Sequence, residues 1–196
     1  MKARIQYILA GILGILVAAV PAVAPAAEPT RQAMDPELRE TLRKAVSDTD
    51  SFADRFEGEV WLTDMSKRLE KKIPDHAFRI ELLKNVHYES RRARLEPELV
   101  LSVIQVESNF NPYAISRVGA IGLMQIMPFW LKEIGKPGDS LFSPYTNLRF
   151  GCTILRHYLN KEKGNQTRAL MRYNGTREYG YPMLVHKVFD SNWRIR

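Results

Sequence analysis

Between Leu99 and Trp130 the chain carries an apolar stripe of helical period that ends on a carboxylate, and this constrains the fold most. Pro97 suits the first turn of a helix, where its missing N–H costs nothing, and Glu98 suits the positive end of the helix dipole. Leu99, Val100, Val103 and Ile104 share one face. Glu107 continues that face, lying seven, four and three residues after Val100, Val103 and Ile104. A carboxylate there loses hydration that apolar neighbours do not replace. Its pKa rises and a proton stays available near neutral pH, which is what a general acid requires. The ordinary alternative is a solvated Glu at a helix end, and a small rotation of the helix separates the two. Asn111-Pro112 is expected to stop the helix, because a residue before proline is pushed out of the α region. Gly119, Ala120 and Gly122 then make a tight loop with exposed backbone, and Pro128 opens another helix. A helix end bearing an acid, set against a Gly-rich loop, offers a groove wall to a polar polymer.

Glu107-Ser108, Asn111-Pro112, Ala114, Ser116, Gly119-Ala120, Gly122-Leu123-Met124-Gln125 and Met127-Pro128 resemble the ES and GLMQ motifs of the soluble lytic transglycosylase family. Tyr173-Asn174-Gly175 is similar to that family's AYN motif, and Tyr181 with Val185 to its last, Tyr-containing segment. The ordered set covers about residues 95–190, roughly half the chain. Arg172 departs from the pattern, standing where a small residue is usual, and Thr176 stands where a second glycine is common. The resemblance implies a lysozyme-like catalytic domain that cleaves peptidoglycan, with Glu107 as the catalytic residue. It also implies substrate contacts from Ser108, Met124, Gln125, Tyr173, Asn174 and Tyr181. Ser108 would bond the acid, a sugar or its own helix end, and Met124 would lie under a sugar ring or pack in the core. Gln125 offers a donor and an acceptor to an acetamido or peptide group. Tyr173 would bring its hydroxyl to Glu107 and Asn174 would hold the acetamido group. Tyr181 has a rival in nearby Tyr179. No metal and no cofactor are implied.

The start of the chain reads differently. Lys2 and Arg4 precede the uncharged run Ile5–Val20, and small residues with prolines follow through Ala27. Basic, apolar and small in that order is a secretory signal peptide, residues 1–27, with the periplasm as destination. The alternatives are secretion beyond it or a retained inner-membrane anchor, for which the apolar run is short against ~20 residues. The leader holds Lys2 and Arg4 and no acid, so a formal charge of +7 becomes +5 on its removal. Lys and Arg are scattered among acids along helices, as in Lys67–Lys72, and no basic run interleaves with aromatics. Nucleic acid is therefore not the expected partner. Glycan strands carrying peptide carboxylates are, and a further envelope protein partner is left open. The single Cys152 has no internal disulfide partner and falls on a Leu148, Leu155, Leu159 stripe, so it reads as a buried packing thiol.

Residues 28–94 read as a helical N-terminal extension and 95–196 as the catalytic domain, the whole mainly α. Helices are expected from Asp35 to Val46, from Phe52 to Ile73, and after an Asp75 cap. His76 and His87 are expected at surfaces or helix ends rather than as metal ligands. Thr146 or Asn147 is expected to cap a helix reaching Glu162, followed by short helices over 167–173 and 181–189.

Three functions compete: a lytic transglycosylase, a muramidase (hydrolase) on the same fold, and a non-catalytic peptidoglycan-binding component of an envelope assembly. A hydrolase pairs its acid with a second carboxylate. Glu133, Asp139, Glu162 and Glu178 lie in polar or turn-like stretches and are expected to be solvated. A lone acid suits a route in which the substrate's acetamido group and C6 hydroxyl do the rest.

Overall fold

A computed structural model describes residues 55–195. The leader and the helix expected over 35–46 lie outside the described residues. Seven α-helices follow in order: α1 Arg55–Leu69, α2 His76–Arg92, α3 Pro97–Ser108, α4 Pro128–Ile134, α5 Pro144–Lys161, α6 Gln166–Asn174 and α7 Gly180–Val188. A π-helical turn, Phe189–Trp193, closes the set. There is no strand among the described residues; two isolated bridges, Ile115 to Ile121 and Ile121 to Ile126, lie in the loop between α3 and α4. The fold is mainly α, as the periodicity implies.

Local chemistry sets the helix starts. Asp75 caps α2 by accepting from the Phe78 N–H at 3.1 Å, as expected. Pro97 stands in the first turn of α3, with Glu96 at the cap. α5 begins earlier than expected, because Ser143 is its cap and Pro144 its first residue. Ser143-Pro144 reads as a turn from sequence alone, yet the same pair suits a helix start equally well. Asn165 caps α6 and Gly175 ends it in the left-handed region at φ +79°.

α3 runs through the middle. Every residue from Pro97 to Ile104 is buried, and α2, α7 and the π-helical turn pack around it. Val100, Val103 and Ile104 are fully enclosed, each contributing on the order of 1.5–3 kcal/mol of burial. α5 carries the expected stripe with Cys152 fully buried, and burial pushes its thiol far up from the ordinary range.

α1 and α2 join this core through polar contacts as well as apolar ones. The Trp61 indole N–H donates to Glu98 at 2.6 Å, so the carboxylate at the start of α3 is buried and hydrogen-bonded. His87 is a correction: it is buried against the Trp61 ring, with centroids 5.1 Å apart. Glu89 and Ser90 close to it in sequence are buried as well, so this end of α2 faces inward although its composition reads as polar. Glu89, fully buried, receives Arg92 at 2.6 Å and Arg149 at 2.9 Å, tying α2 to α5. Such a pair is worth little against an apolar pair, but losing one partner costs ~3–5 kcal/mol.

The end of the chain is strapped down from two sides. Gln105 on α3 accepts from Trp193 at 2.9 Å and Asn192 at 3.1 Å. Arg68 on α1 donates to the carbonyls of Asn192 and Arg194, each at 3.2 Å. These contacts fix the far end of α7, whose near end carries Tyr181.

Candidate active site

Glu107 is the last residue but one of α3. The helix ends at Ser108, three residues before Asn111, because Asn109 and Phe110 adopt φ of +48° and +68°. Asn tolerates that conformation; the helix end is set there rather than by the proline. Glu107 is partly buried where the apolar stripe meets the surface.

Opposite it lies the loop 111–127. Its backbone closes on itself: Gly122 N–H donates to the Ala114 carbonyl at 2.8 Å, and Ile121 and Ile126 exchange bonds at 2.9 Å. Gly122 has φ +79°, and a Cβ there would strike the Leu141 carbonyl and the Asn147 side chain. Only glycine fits. Asn147, fully buried on α5, is the clamp. Its amide donates to the Ile121 carbonyl at 2.8 Å and the Leu141 carbonyl at 2.9 Å, and its oxygen accepts from the Met124 N–H at 2.8 Å. From sequence, Asn147 is a candidate only for a helix cap. Asn147 shares a helix face with Phe150 and Ile154, and a polar residue on such an apolar face is the signal that could have found it.

Several of the expected substrate residues hold this loop. The Ser108 hydroxyl lies 2.8 Å from the Leu123 carbonyl and 3.2 Å from the Ile104 carbonyl, and its one proton serves one of them at a time. Gln125, at φ +52°, donates to the Gly122 carbonyl at 2.9 Å and the Ala114 carbonyl at 3.3 Å. Met124 is fully buried and packs where a Cβ on Gly151 would sit. The Tyr173 hydroxyl, expected at Glu107, donates to the Met124 carbonyl at 2.8 Å. Tyr173 lies on the buried side of α6 and reaches under the loop.

Tyr181 takes the place expected for Tyr173. From the first turn of α7 its hydroxyl donates to Glu107 Oε1 at 2.6 Å. Tyr179, by contrast, is well exposed. The Asn174 side chain, at the end of α6, also hydrogen-bonds the Glu107 carboxyl. Three helix ends thus converge on one acid. Burial raises the Glu107 pKa from 4.5 to about 7, against the smaller lowering effects of the bonds from Tyr181 and Asn174. The Tyr173 and Tyr181 hydroxyls are pushed well up, first by burial and then by the Glu107 charge, so both remain protonated donors.

Among the described residues no second carboxylate contributes to the shift at Glu107. Glu133 and Glu178 are exposed and Asp139 is partly so. Glu162 is a correction to the solvated reading: it is half-buried and ion-paired with Arg172, because the turn after α5 brings α6 back beside it. Also among the described residues, no three His, Cys, Asp or Glu side chains converge as metal ligands.

Residues 84–179 match the family described as the transglycosylase SLT domain. The chain carries a transglycosylase SLT domain. The match starts within α2, in the stretch assigned from sequence to the N-terminal extension, and includes Glu107, the glycine loop, Asn147 and Asn174. This SLT domain is a lysozyme-like fold. Over 86 residues the chain is 40% identical to a transglycosylase of Enterobacteria phage PRD1, covering 44% of this chain and 31% of that one. Over 118 residues it is 38% identical to a membrane-bound lytic murein transglycosylase C of Mannheimia succiniciproducens, covering 55% and 33%. A protein of the same name from Yersinia pestis is 36% identical over 118 residues, with the same coverage. The chain therefore spans about a third of the length of these relatives.

Proposed function

We propose that this SLT domain is a peptidoglycan lytic transglycosylase that cleaves the β-1,4 bond between N-acetylmuramic acid and N-acetylglucosamine. One observation carries the reading: a single carboxyl with a pKa of about 7, held by Tyr181 and Asn174 at the end of a buried helix. At neutral pH such a group is present in both protonation states and serves as acid and then as base. Glu107 gives its proton to the glycosidic oxygen as the bond to C1 breaks. The substrate's 2-acetamido oxygen holds the developing positive charge at C1. The Glu107 carboxylate then removes the proton from the muramoyl C6 hydroxyl, whose oxygen bonds to C1 and displaces the acetamido oxygen. The products are a free 4-hydroxyl and a 1,6-anhydromuramoyl end, and Glu107 regains its proton.

Tyr181 orients the carboxyl and Asn174 meets the acetamido group beside it. Ser108, Met124, Gln125 and Tyr173 act on substrate through the loop they hold. A hydrolase would need a carboxylate to hold water on the far face of the sugar, and a tethered hydroxyl has the advantage of proximity. Mass spectrometry of products from purified peptidoglycan is the test. Ends one water lighter than hydrolytic ones and resistant to borohydride are expected; reducible muramoyl ends as the main product would make the protein a muramidase. Binding with no cleavage would make it a non-catalytic wall component.

The basic, apolar and small-residue order of positions 1–27 supports export to the periplasm, with a mature terminus near Ala27 or Glu28. Amino-terminal sequencing that finds Met1–Val20 retained in membranes would replace that reading with an anchor. No helix among the described residues is long and apolar enough to cross a membrane.

A further inference from the structure

Beside the end of α6, Glu162, Arg168, Met171, Arg172, Thr176 and Arg177 enclose an open hollow of about 380 Å³. Three arginines face one acid there. Arg172 is ion-paired with Glu162, so that pair neutralises itself and fixes one wall. Arg168 and Arg177 are exposed and have no ion-pair partner among the described residues. Arg168 stands one helical turn before Arg172 on α6, and Arg177 comes from the loop beyond Gly175. Met171, half-buried, supplies an apolar flank.

Two features tie this hollow to the catalytic cleft. Asn174, which bonds Glu107, is only two residues before Thr176, a chain length of at most ~7 Å. Arg172 and Thr176, the two positions where the chain departs from the family pattern, both line it. A strand lying across Glu107 would pass within reach of the unpaired guanidinium groups. Peptides borne by such a strand end in carboxylates, and guanidinium is the side chain best matched to a carboxylate's planar fork.

We propose that this hollow is an anion subsite that receives a free carboxylate of a peptide carried by the bound glycan strand. It makes the domain selective for peptide-bearing strands over stripped ones. The inference rests on the glycan-cleft reading above, and its test separates the two. Binding is measured with the Glu107→Gln protein, so that no cleavage is needed. The ligands are fluorescent glycan strands with their peptides intact, and the same strands after an amidase has removed them. Replacing Arg168 and Arg177 together by Ala should weaken binding to peptide-bearing strands roughly tenfold, in keeping with two solvent-exposed ion pairs, and leave stripped strands unaffected. Arg177→Glu should weaken the peptide-bearing strands alone, and added salt should narrow the gap between ligands. Equal affinity of the parent for both ligands, or equal weakening of both by the double substitution, would overturn the subsite. Turnover by the unsubstituted protein is followed alongside. If neither ligand is cleaved while the peptide-dependent binding persists, the lytic reading falls and the subsite stands.

Discussion

Replacing Glu107 by Gln should make the protein more stable at alkaline pH while abolishing its proposed activity. The side chain keeps its size, and the amide oxygen still accepts from Tyr181. What disappears is the ionisation. In the folded protein the carboxyl titrates at about 7, against 4.5 ordinarily, so between those values the native state holds a proton that the unfolded chain has released. Stability contributed by that proton is complete below pH 4.5 and is lost as pH rises through 7. The gap between 4.5 and about 7, at ~1.36 kcal/mol per pH unit, gives ~3.4 kcal/mol. Water in the cleft reaches part of Glu107 and screens its charge, which lowers the expectation to about 2 kcal/mol. Urea denaturation of both proteins from pH 4.5 to 8 is the assay. The two should have similar stability at the acid end, and the Gln variant should gain steadily until about pH 8. For a protein of this size, ~2 kcal/mol corresponds to ~4–8 °C in melting temperature. A stability difference that stays constant across the range would refute the raised pKa. A Gln variant that unfolds at every pH would make Glu107 a structural member of the site.

Tyr181→Phe removes a hydrogen bond that favours the carboxylate, so the Glu107 pKa should rise further. The alkaline limb of kcat/KM should then move to higher pH, with lower activity at the optimum; an unmoved limb would mean that the bond does not tune the acid. Asn147→Ala leaves the Met124 N–H and the Ile121 and Leu141 carbonyls without this partner. It should cost ~3–5 kcal/mol in urea denaturation and most of the activity, since buried groups left unpaired cost ~1–3 kcal/mol each; a near-neutral change would show that the loop holds itself.

The fold was legible where one residue type has one use. The α3 stripe, the Asp75 cap, the buried Cys152 and the Pro128 helix start all follow from period or cap chemistry, and the structure has each of them. Residues with two uses were less legible. Ser143-Pro144 makes a turn or a helix start, and the structure takes the second. His87 belongs to a polar stretch of sequence but to a buried face in space, where it packs on the Trp61 ring. Glu107 was placed correctly on the buried stripe because spacing along one helix decides it. The distribution of work between Tyr173 and Tyr181 depends on how α6 and α7 sit against the loop, and no local pattern carries that information.

That distribution has a physical logic. A tight glycine loop over the end of α3 exposes backbone groups, and a polar strand can use them only if the loop is held in one shape. Holding it requires donors and acceptors aimed at carbonyls from below. Asn147, Gln125, Ser108 and Tyr173 supply these from α5, the loop itself, α3 and α6. These hydrogen bonds hold the loop from below. Among the described residues Tyr181 and Asn174 hydrogen-bond the acid, and both favour its charged form while burial disfavours it. Neither influence alone leaves a carboxyl near neutrality: burial without the two donors would drive it higher, and the donors without burial would keep it acidic. The value of about 7 is the balance of the two. It therefore depends on α6 and α7 keeping their place against α3, which is what the Gln105 and Arg68 contacts at the end of the chain secure.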